Sequence, residues 1–178
     1  HGFCFVAAVL LLAGTAHGQT AYTWTATMQG TYNWDDPTKW GGSGFPNAID
    51  DVANLYTNIA SNQTINLNQA ITVGTITIGD SGGTELFTLT PNGGSLTFQV
   101  SSGNASLTKV AATHSAIEAL PAVVLNTNLD ITSYSAYAWG GSSGVLRLSG
   151  GIGDGGSGYG FTKLGPGQLS LTGGAANT

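Results

Sequence analysis

The chain has 178 residues, a length that suits one domain with a buried core. Only 7% of its residues are charged, just 4 are Lys or Arg, and the formal net charge is −5. This composition argues against nucleic-acid binding, which needs a basic surface, and 41% hydrophobic residues are too many for a charged disordered chain. Thr, Val and Ile favour strands and long helix-forming runs are scarce, so the predicted fold class is all-β.

Residues 1–18 are predicted to form a signal peptide. Phe3–Ala13 is an apolar run whose length suits the hydrophobic region of a signal peptide and is too short for a bilayer that needs ~20 residues. Small residues at Ala16 and Gly18 favour cleavage after Gly18, which makes Gln19 the first mature residue; cleavage after Ala16 is the alternative. The mature chain then contains no cysteine, because Cys4 lies in the apolar run. No membrane span is expected in the mature part.

Alternating apolar and polar residues recur along the rest of the chain, and this period of two predicts half-buried strands. The predicted strand segments are Thr64–Asn68, Ile71–Gly79, Leu86–Thr90, Ser95–Val100, Ala105–Val110, Val123–Thr132, Val145–Gly150 and Gln168–Gly173. Turn residues separate these segments. His114–Leu120 is the only helix-like stretch in the sequence, and Pro121 stops it.

The segment Ile71–Gly79 contains a change of phase in its alternation. Val73, Ile76 and Ile78 are predicted to face the interior, and Thr77 is predicted to face outward between two inward residues. Gly74 and Thr75 are expected to absorb this change of phase at a corner of the chain. The sequence therefore predicts a bend at this point.

Leucines at the centres of the strand segments recur at a drifting interval, at Leu67, Leu89, Leu107, Leu125, Leu146 and Leu169. A period near 20 is typical of solenoids. We therefore expect a right-handed parallel β-helix in which like residues stack at ~4.8 Å and ladders of Asn and Thr replace charges. A capping segment (19–60) would precede the solenoid turns (61–178). An antiparallel β-sandwich is the alternative.

The end of the chain resembles a known repeat. Residues 158–178 read GYGFTKLGPGQLSLTGGAANT, and they are similar to the repeat of autotransporter-associated β-strand proteins, roughly G-L-T-K-x-G-x-G-T-L-T-L-S-G-x-N-T. The residues that match this pattern are Phe161, Thr162, Lys163, Gly165, Gly167, Leu169, Leu171 and Gly173, with Phe161 in place of Leu. The segment Trp24–Asn54 is also similar to N-terminal segments of such proteins. The resemblance implies a secreted β-helical passenger on a bacterial outer surface, with no enzymatic activity assigned to the repeat.

Two glycine-rich strings resemble catalytic or binding motifs. Residues 79–83 spell GDSGG, the string around a chymotrypsin-like serine nucleophile, but the only histidines before Ser81 are His1 and His17, so a polar turn is the better interpretation. Residues 151–156 match G-x-G-x-x-G and part of a calcium repeat. No helix is predicted after this string and the lone Asp154 supplies too few oxygens, so we interpret it as a loop.

The aspartate doublets Asp35–Asp36 and Asp50–Asp51 are candidates for a glycosidase pair or calcium ligands. Neighbouring Pro37 and the sequence Pro46–Asn47 favour turn and capping roles instead. We predict no catalytic residue, no metal site and no cofactor.

Aromatic residues concentrate in two places. Trp24, Trp34 and Trp40 are predicted to cover the first turn of the solenoid, and sugar stacking is the alternative. Tyr134, Tyr137 and Trp139 are the better candidates for an exposed patch that contacts carbohydrate.

These features together predict a non-enzymatic structural or adhesive part of a β-helical passenger, secreted or displayed on the outer surface of a Gram-negative-type bacterium. Its expected partners are extracellular matrix, polysaccharide or other cell surfaces, together with the export machinery. The alternative is a polysaccharide-binding or polysaccharide-degrading β-helix, such as a lyase or glycoside hydrolase. Lyase chemistry needs clustered acidic and basic side chains, and the four basic residues are scattered.

Overall fold

The computed structural model describes residues 18–83, 85–110, 117–134 and 145–173. Apart from one short 3-10 helix, Pro37–Trp40, the regular elements in these ranges are strands. In chain order the strands are β1 (Ala21–Thr23), β2 (Gly30–Asn33), β3 (Val52–Thr57), β4 (Gln63–Leu67), β5 (Ala70–Val73), β6 (Thr75–Asp80), β7 (Phe87–Pro91), β8 (Ser95–Phe98), β9 (Ala105–Lys109), β10 (Ile117–Leu120), β11 (Val123–Leu125), β12 (Leu129–Ser133), β13 (Val145–Leu148), β14 (Ile152–Gly153), β15 (Phe161–Leu164) and β16 (Leu169–Leu171). The predicted all-β class is confirmed.

The strands form three sheets. The first sheet has the order β1-β3-β6-β9-β12-β15, the second β2-β4-β7-β10-β13-β16, and the third β5-β8-β11-β14. From β6 onward, each strand lies in the same sheet as, and beside, the strand three positions earlier in the chain. Each such pair is parallel, so the antiparallel sandwich alternative is wrong for the described strands.

The spacing of paired residues differs from the predicted period. Val52 pairs with Thr75 in the first sheet, while Thr31 pairs with Thr64 across a longer stretch of chain in the second. Both intervals exceed the predicted period, which is therefore too short. The period is misleading because the leucines used to derive it belong to different sheets: Leu107 lies in the first sheet and Leu125 in the third.

Two sequence predictions of local structure need correction. Ile117–Leu120, part of the predicted helix-like stretch, forms β10 and pairs with β13. This segment is too short to show a helical period, and Pro121 ends a strand as readily as a helix. The predicted single strand Val123–Thr132 is two strands, β11 and β12, in different sheets.

The predicted corner within Ile71–Gly79 is confirmed. Strand β5 ends at Val73 in the third sheet and β6 begins at Thr75 in the first, with Gly74 between them. Val73, Ile76 and Ile78 are buried, and Thr77 is partly exposed on the outer face. A Cβ on Gly74 would lie 2.8 Å from the Cα of Asp50, so the corner has no room for a side chain.

Like residues lie beside like on the outer faces, as predicted. Thr77 pairs with Thr108, which pairs with Thr132, in the first sheet. In the second sheet Asn33 pairs with Asn66, whose Oδ1 accepts a hydrogen bond from the Thr90 hydroxyl at 2.8 Å. These neutral side chains avoid the repulsion that like charges would have at one strand spacing of ~4.8 Å.

Three buried tryptophans lie at the end of the stack formed by β1 and β2. The Trp40 ring lies 5.0 Å from that of Trp24 and 4.8 Å from that of Trp34. Each indole N–H has an acceptor: Gln63 Oε1 for Trp24, the Pro46 carbonyl for Trp34 and the Trp34 carbonyl for Trp40. The rings pack against the core and leave no face open to a sugar, which is unlike a carbohydrate platform.

Gly94 allows a close approach between the turn before β8 and the chain beneath it. Its N–H donates to the Leu67 carbonyl at 2.8 Å, and a Cβ at this position would overlap the carbonyl oxygens of Leu67 and Gln69. We expect Gly94→Ala to destabilise the protein by about 1–3 kcal/mol, because rigid backbone would have to move. Urea denaturation measures this effect. Gly153→Ala is the control, since its Cβ would meet nothing within 4 Å, and an equal loss in both variants would contradict the prediction.

Candidate functional site

The GDSGG string forms a turn after β6. Asp80 is buried: its Oδ1 accepts from the N–H groups of Ile59 and Gly82 at 3.0 and 3.1 Å, and its Oδ2 accepts from the N–H of Glu85 at 3.1 Å. Ser81 is exposed on this turn. No histidine occurs in the ranges that the structure describes, so the histidine base of a chymotrypsin-like site is not found there. The interpretation as a polar turn is confirmed.

The first aspartate doublet stabilises local structure. Asp36 caps the 3-10 helix, accepting from the Thr38 hydroxyl at 2.6 Å and the Thr38 N–H at 3.0 Å. These bonds, together with the nearby Lys39 ammonium, hold the pKa of Asp36 below its ordinary value. Asp35 Oδ2 accepts from the Asn68 side-chain amide at 2.8 Å. Both carboxylates therefore have structural partners.

The second doublet joins a loop to the third sheet. Asp50 Oδ1 accepts from the Ser101 N–H at 2.9 Å, and Asp50 has a φ of 71°, a left-handed conformation that aspartate tolerates. Asp51 Oδ2 accepts from the Asn47 N–H at 3.0 Å. Asn47 in turn accepts from the N–H of Thr72, in β5. The predicted turn role is confirmed for this doublet, while the predicted capping role is found at Asp36 of the first doublet.

Asp154 organises the glycine-rich loop between β14 and β15. Its carboxylate accepts from the N–H groups of Gly156 at 3.0 Å, Gly158, and Tyr159 at 2.8 Å. These N–H groups, that of Gly156 foremost, lower the pKa of Asp154 below its ordinary value. The loop interpretation of this string is confirmed, and the carboxylate is already engaged by backbone.

We expect the amide resonances of Gly156, Gly158 and Tyr159 to titrate together as Asp154 is protonated. Because the folded pKa is depressed, the loop's contribution to stability is present above the unfolded pKa and is lost as pH falls through the folded pKa. An NMR pH titration measures the transition, which should lie below that of an ordinary aspartate. Asp154→Asn should abolish it. A transition at or above the ordinary value would contradict the assignment.

The residues that carry the repeat resemblance lie in β15, in β16 and in the turn between them, except for Gly173, which lies two residues after β16. Lys163 Nζ donates to the carbonyls of Leu164 and Gly165 at 2.6 and 2.9 Å. Gly165 has a φ of 73°, and a Cβ there would lie 2.6 Å from the Ser133 carbonyl oxygen. The lysine thus closes the turn and the glycine permits it, which gives both motif positions a structural role.

An exposed surface remains on the outer face of the first sheet. Tyr56 in β3 is 46% exposed and Tyr134, directly after β12, is 45% exposed. Tyr56 pairs with Gly79. The N–H of Val110 donates to the Ile78 carbonyl and the N–H of Tyr134 donates to the Lys109 carbonyl, so Val110 and Tyr134 lie at the same height along their strands as Gly79. We call Tyr56, Gly79, Val110 and Tyr134 the tyrosine row. Tyr56 could not be linked to Tyr134 from the sequence, because the link depends on register.

A second row lies two positions earlier in each strand. This threonine row consists of Thr23, Asn54, Thr77, Thr108 and Thr132, which pair in that order across the sheet. Neither row contains a charged side chain. Of the three residues predicted to contact carbohydrate, Tyr134 is thus exposed beside neutral hydroxyl groups, whereas Tyr137 and Trp139 lie outside the described residues.

Comparisons with known proteins gave no further identification: no protein-family model, no curated protein and no solved structure matches the chain. Within the described ranges, no helix has the length and apolar character to cross a membrane. In those same ranges no three His, Cys, Asp or Glu side chains form a group that could hold a metal ion. Gly18 and Gln19, the predicted cleavage site, are exposed ahead of β1.

Proposed function

We propose that this chain is part of a right-handed parallel β-helix with a structural and adhesive, non-enzymatic role. In this proposal the protein is a bacterial passenger of the autotransporter-associated type, secreted or displayed on the outer surface. The observation that carries the proposal is the regular return of every third strand to the same sheet in parallel register. A closed coil accounts for that order, and parallel crossovers are right-handed in about 98% of cases.

The chemistry of the surface supports a non-catalytic role over the lyase or hydrolase alternative. Carboxylates of both doublets and of Asp154 accept hydrogen bonds from neighbouring backbone or side-chain groups. A catalytic acid needs an environment that raises its pKa, whereas the hydrogen bonds to Asp36 and to Asp154 lower the pKa of each carboxyl. The exposed rows instead offer neutral hydroxyl and aromatic groups to a partner.

Adhesion can be tested with beads coated with the secreted chain. We expect the beads to be retained on bacterial cells, on matrix or on insoluble polysaccharide under flow, more strongly than beads coated with albumin. Retention equal to that of albumin beads on all three surfaces would overturn the adhesive role. Release of reducing sugar or unsaturated uronate from the polysaccharides would overturn the non-enzymatic one.

Export is tested by the mature N-terminus. We expect mass spectrometry of material secreted from a bacterial host to find Gln19 as the first residue, or His17 if cleavage follows Ala16. The reason is the apolar run that precedes small residues, as signal peptidase requires. Replacing Ala16 and Gly18 together by bulky residues is the matched control and should block processing. An intact N-terminus on secreted wild-type chain would contradict the signal peptide.

A further inference from the structure

We infer that the tyrosine and threonine rows form a binding site for a neutral polysaccharide chain that runs across the strands of the first sheet. The inference rests on the proposed adhesive function and names the ligand of its exposed surface. It starts from Tyr56 and Tyr134, two large side chains with nearly half their surface exposed at one level of the same sheet face. A tyrosine offers a rigid apolar ring and a hydroxyl with little conformational entropy to lose on binding.

The spacing of the two rings suits a repeating ligand. Tyr56 and Tyr134 lie three strands apart, which at ~4.8 Å per strand is about 14 Å. Val110 and Gly79 lie between them at the same level, and the Val110 side chain covers Gly79, where a Cβ would be only 2.5 Å from Val110 Cγ2. The surface between the two rings is therefore apolar and carries one short side chain. Sugar rings in an extended glycan present apolar C–H faces at regular intervals, so one chain can stack on both tyrosines.

The hydroxyl groups of the threonine row supply the polar half of the site. Thr77, Thr108 and Thr132 lie at successive strands beside the tyrosine row, each with part of its side chain exposed. Each hydroxyl both donates and accepts, which matches the hydroxyls along the edge of a glycan. The repeat of one threonine per strand gives a ladder of such groups parallel to the ligand.

Charge selects a neutral ligand over an anionic one. Neither row is charged, and Asp130 lies on the adjacent outer level of the sheet, where its carboxylate accepts from the Asn104 amide. The whole chain has a formal net charge of −5. A uronate or sulfated polysaccharide would be repelled by this surface, whereas a neutral glucan, xylan or mannan would not.

Affinity electrophoresis and calorimetry of the secreted chain with β-glucan, xylan, mannan and alginate test the inference. We expect binding to at least one neutral polysaccharide, and an affinity for its oligosaccharides that rises until they span both tyrosines and then levels off. Tyr56→Ala and Tyr134→Ala should each weaken binding by about tenfold, whereas the Phe variants keep the ring and should stay within about threefold. Circular dichroism and melting temperature check that each variant is folded.

Tyr159→Ala is the matched control, because this ring is 41% exposed but lies beside the Asp154 loop and outside both rows. Equal loss in the control, preference for alginate, or binding that ignores both row tyrosines would overturn the inference. So would capture of a protein ligand by the two tyrosines with no glycan binding. Beads that still adhere to cells while the tyrosine variants bind glycan normally would leave the adhesive function standing and remove only this site. If the beads fail to adhere but the chain still binds glycan through the two tyrosines, the glycan site would stand and the adhesive function would be wrong.

Discussion

Ile76→Lys should prevent the protein from folding cooperatively, whereas Thr77→Lys, at the next position, should change stability only slightly. Ile76 is fully buried in β6 and pairs with Ala53 and Leu107, which are also fully buried. A lysine there would place its ammonium among apolar side chains, and an unpaired buried charge costs several kcal/mol. Truncation to alanine leaves a cavity instead and should cost about 2–5 kcal/mol.

Thr77 gives the matched comparison because its side chain lies on the opposite face. Its neighbours, Asn54 and Thr108, are neutral, so a lysine at this position meets no like charge and keeps its ammonium in water. Thr77→Ala should cost less than about 1 kcal/mol, the span of the β-propensity scale. Denaturant melts of the four variants measure these differences. If Thr77→Ala proved as damaging as Ile76→Ala, the assignment of the two faces would be wrong.

Gln63→Glu should destabilise the protein by about 3–5 kcal/mol at neutral pH, although it changes a single heavy atom. Gln63 is buried at the start of β4, where its Oε1 accepts from the Trp24 indole at 2.8 Å. Its Nε2 donates to the carbonyls of Ala26 and Met28 at 2.9 and 2.8 Å. Glutamate keeps the acceptor for Trp24. Its second carboxylate oxygen, however, would replace a donor and repel the two carbonyl oxygens in a buried environment.

The loss should shrink as pH falls. Burial and the two carbonyls raise the pKa of the introduced carboxyl in the folded state, so the folded protein binds a proton more readily than the unfolded chain. Once protonated, the acid can donate to one of the two carbonyls. Urea melts at pH 7.5 and 4.5, each relative to the parent at the same pH, measure the effect. Gln168→Glu, which is exposed, is the control, and a loss at Gln63 that does not depend on pH would contradict the ionic explanation.

Alternation along the chain predicts most of the strands because it depends only on neighbouring residues. The corner at Gly74 follows from the same local information, since the inward residues change phase there. The helix-like interpretation of Ile117–Leu120 is wrong because short segments of mixed composition do not specify one period, and partners in β7 and β13 make this one a strand. Local pattern therefore predicts strand positions, and tertiary pairing decides the ambiguous ones.

The candidate site is predictable only in part. Tyr134 stands out as an aromatic residue after a strand, but Tyr56 lies far earlier in the sequence and the two are brought to one level of the sheet by register alone. Register depends on how much chain occupies each corner, and the period of the leucines does not report this. The role of Gln63 could not be predicted for a similar reason. Its side chain points inward, and a polar residue there is explained only by the tryptophan indole and the two carbonyls that it contacts in the folded chain.

The unequal distance between paired residues has a consequence for how the molecule can be altered. The step from Val52 to Thr75 is clearly shorter than the step from Thr75 to Ser106, yet both pairs are in register within one sheet. The connections between strands thus differ in length while the strands keep their partners, because lengthening a loop costs little entropy. The tip of the exposed turn after β8, between Ser102 and Gly103, is therefore a place for an inserted epitope or fluorophore-labelling tag, which would report on the protein without entering the sheets.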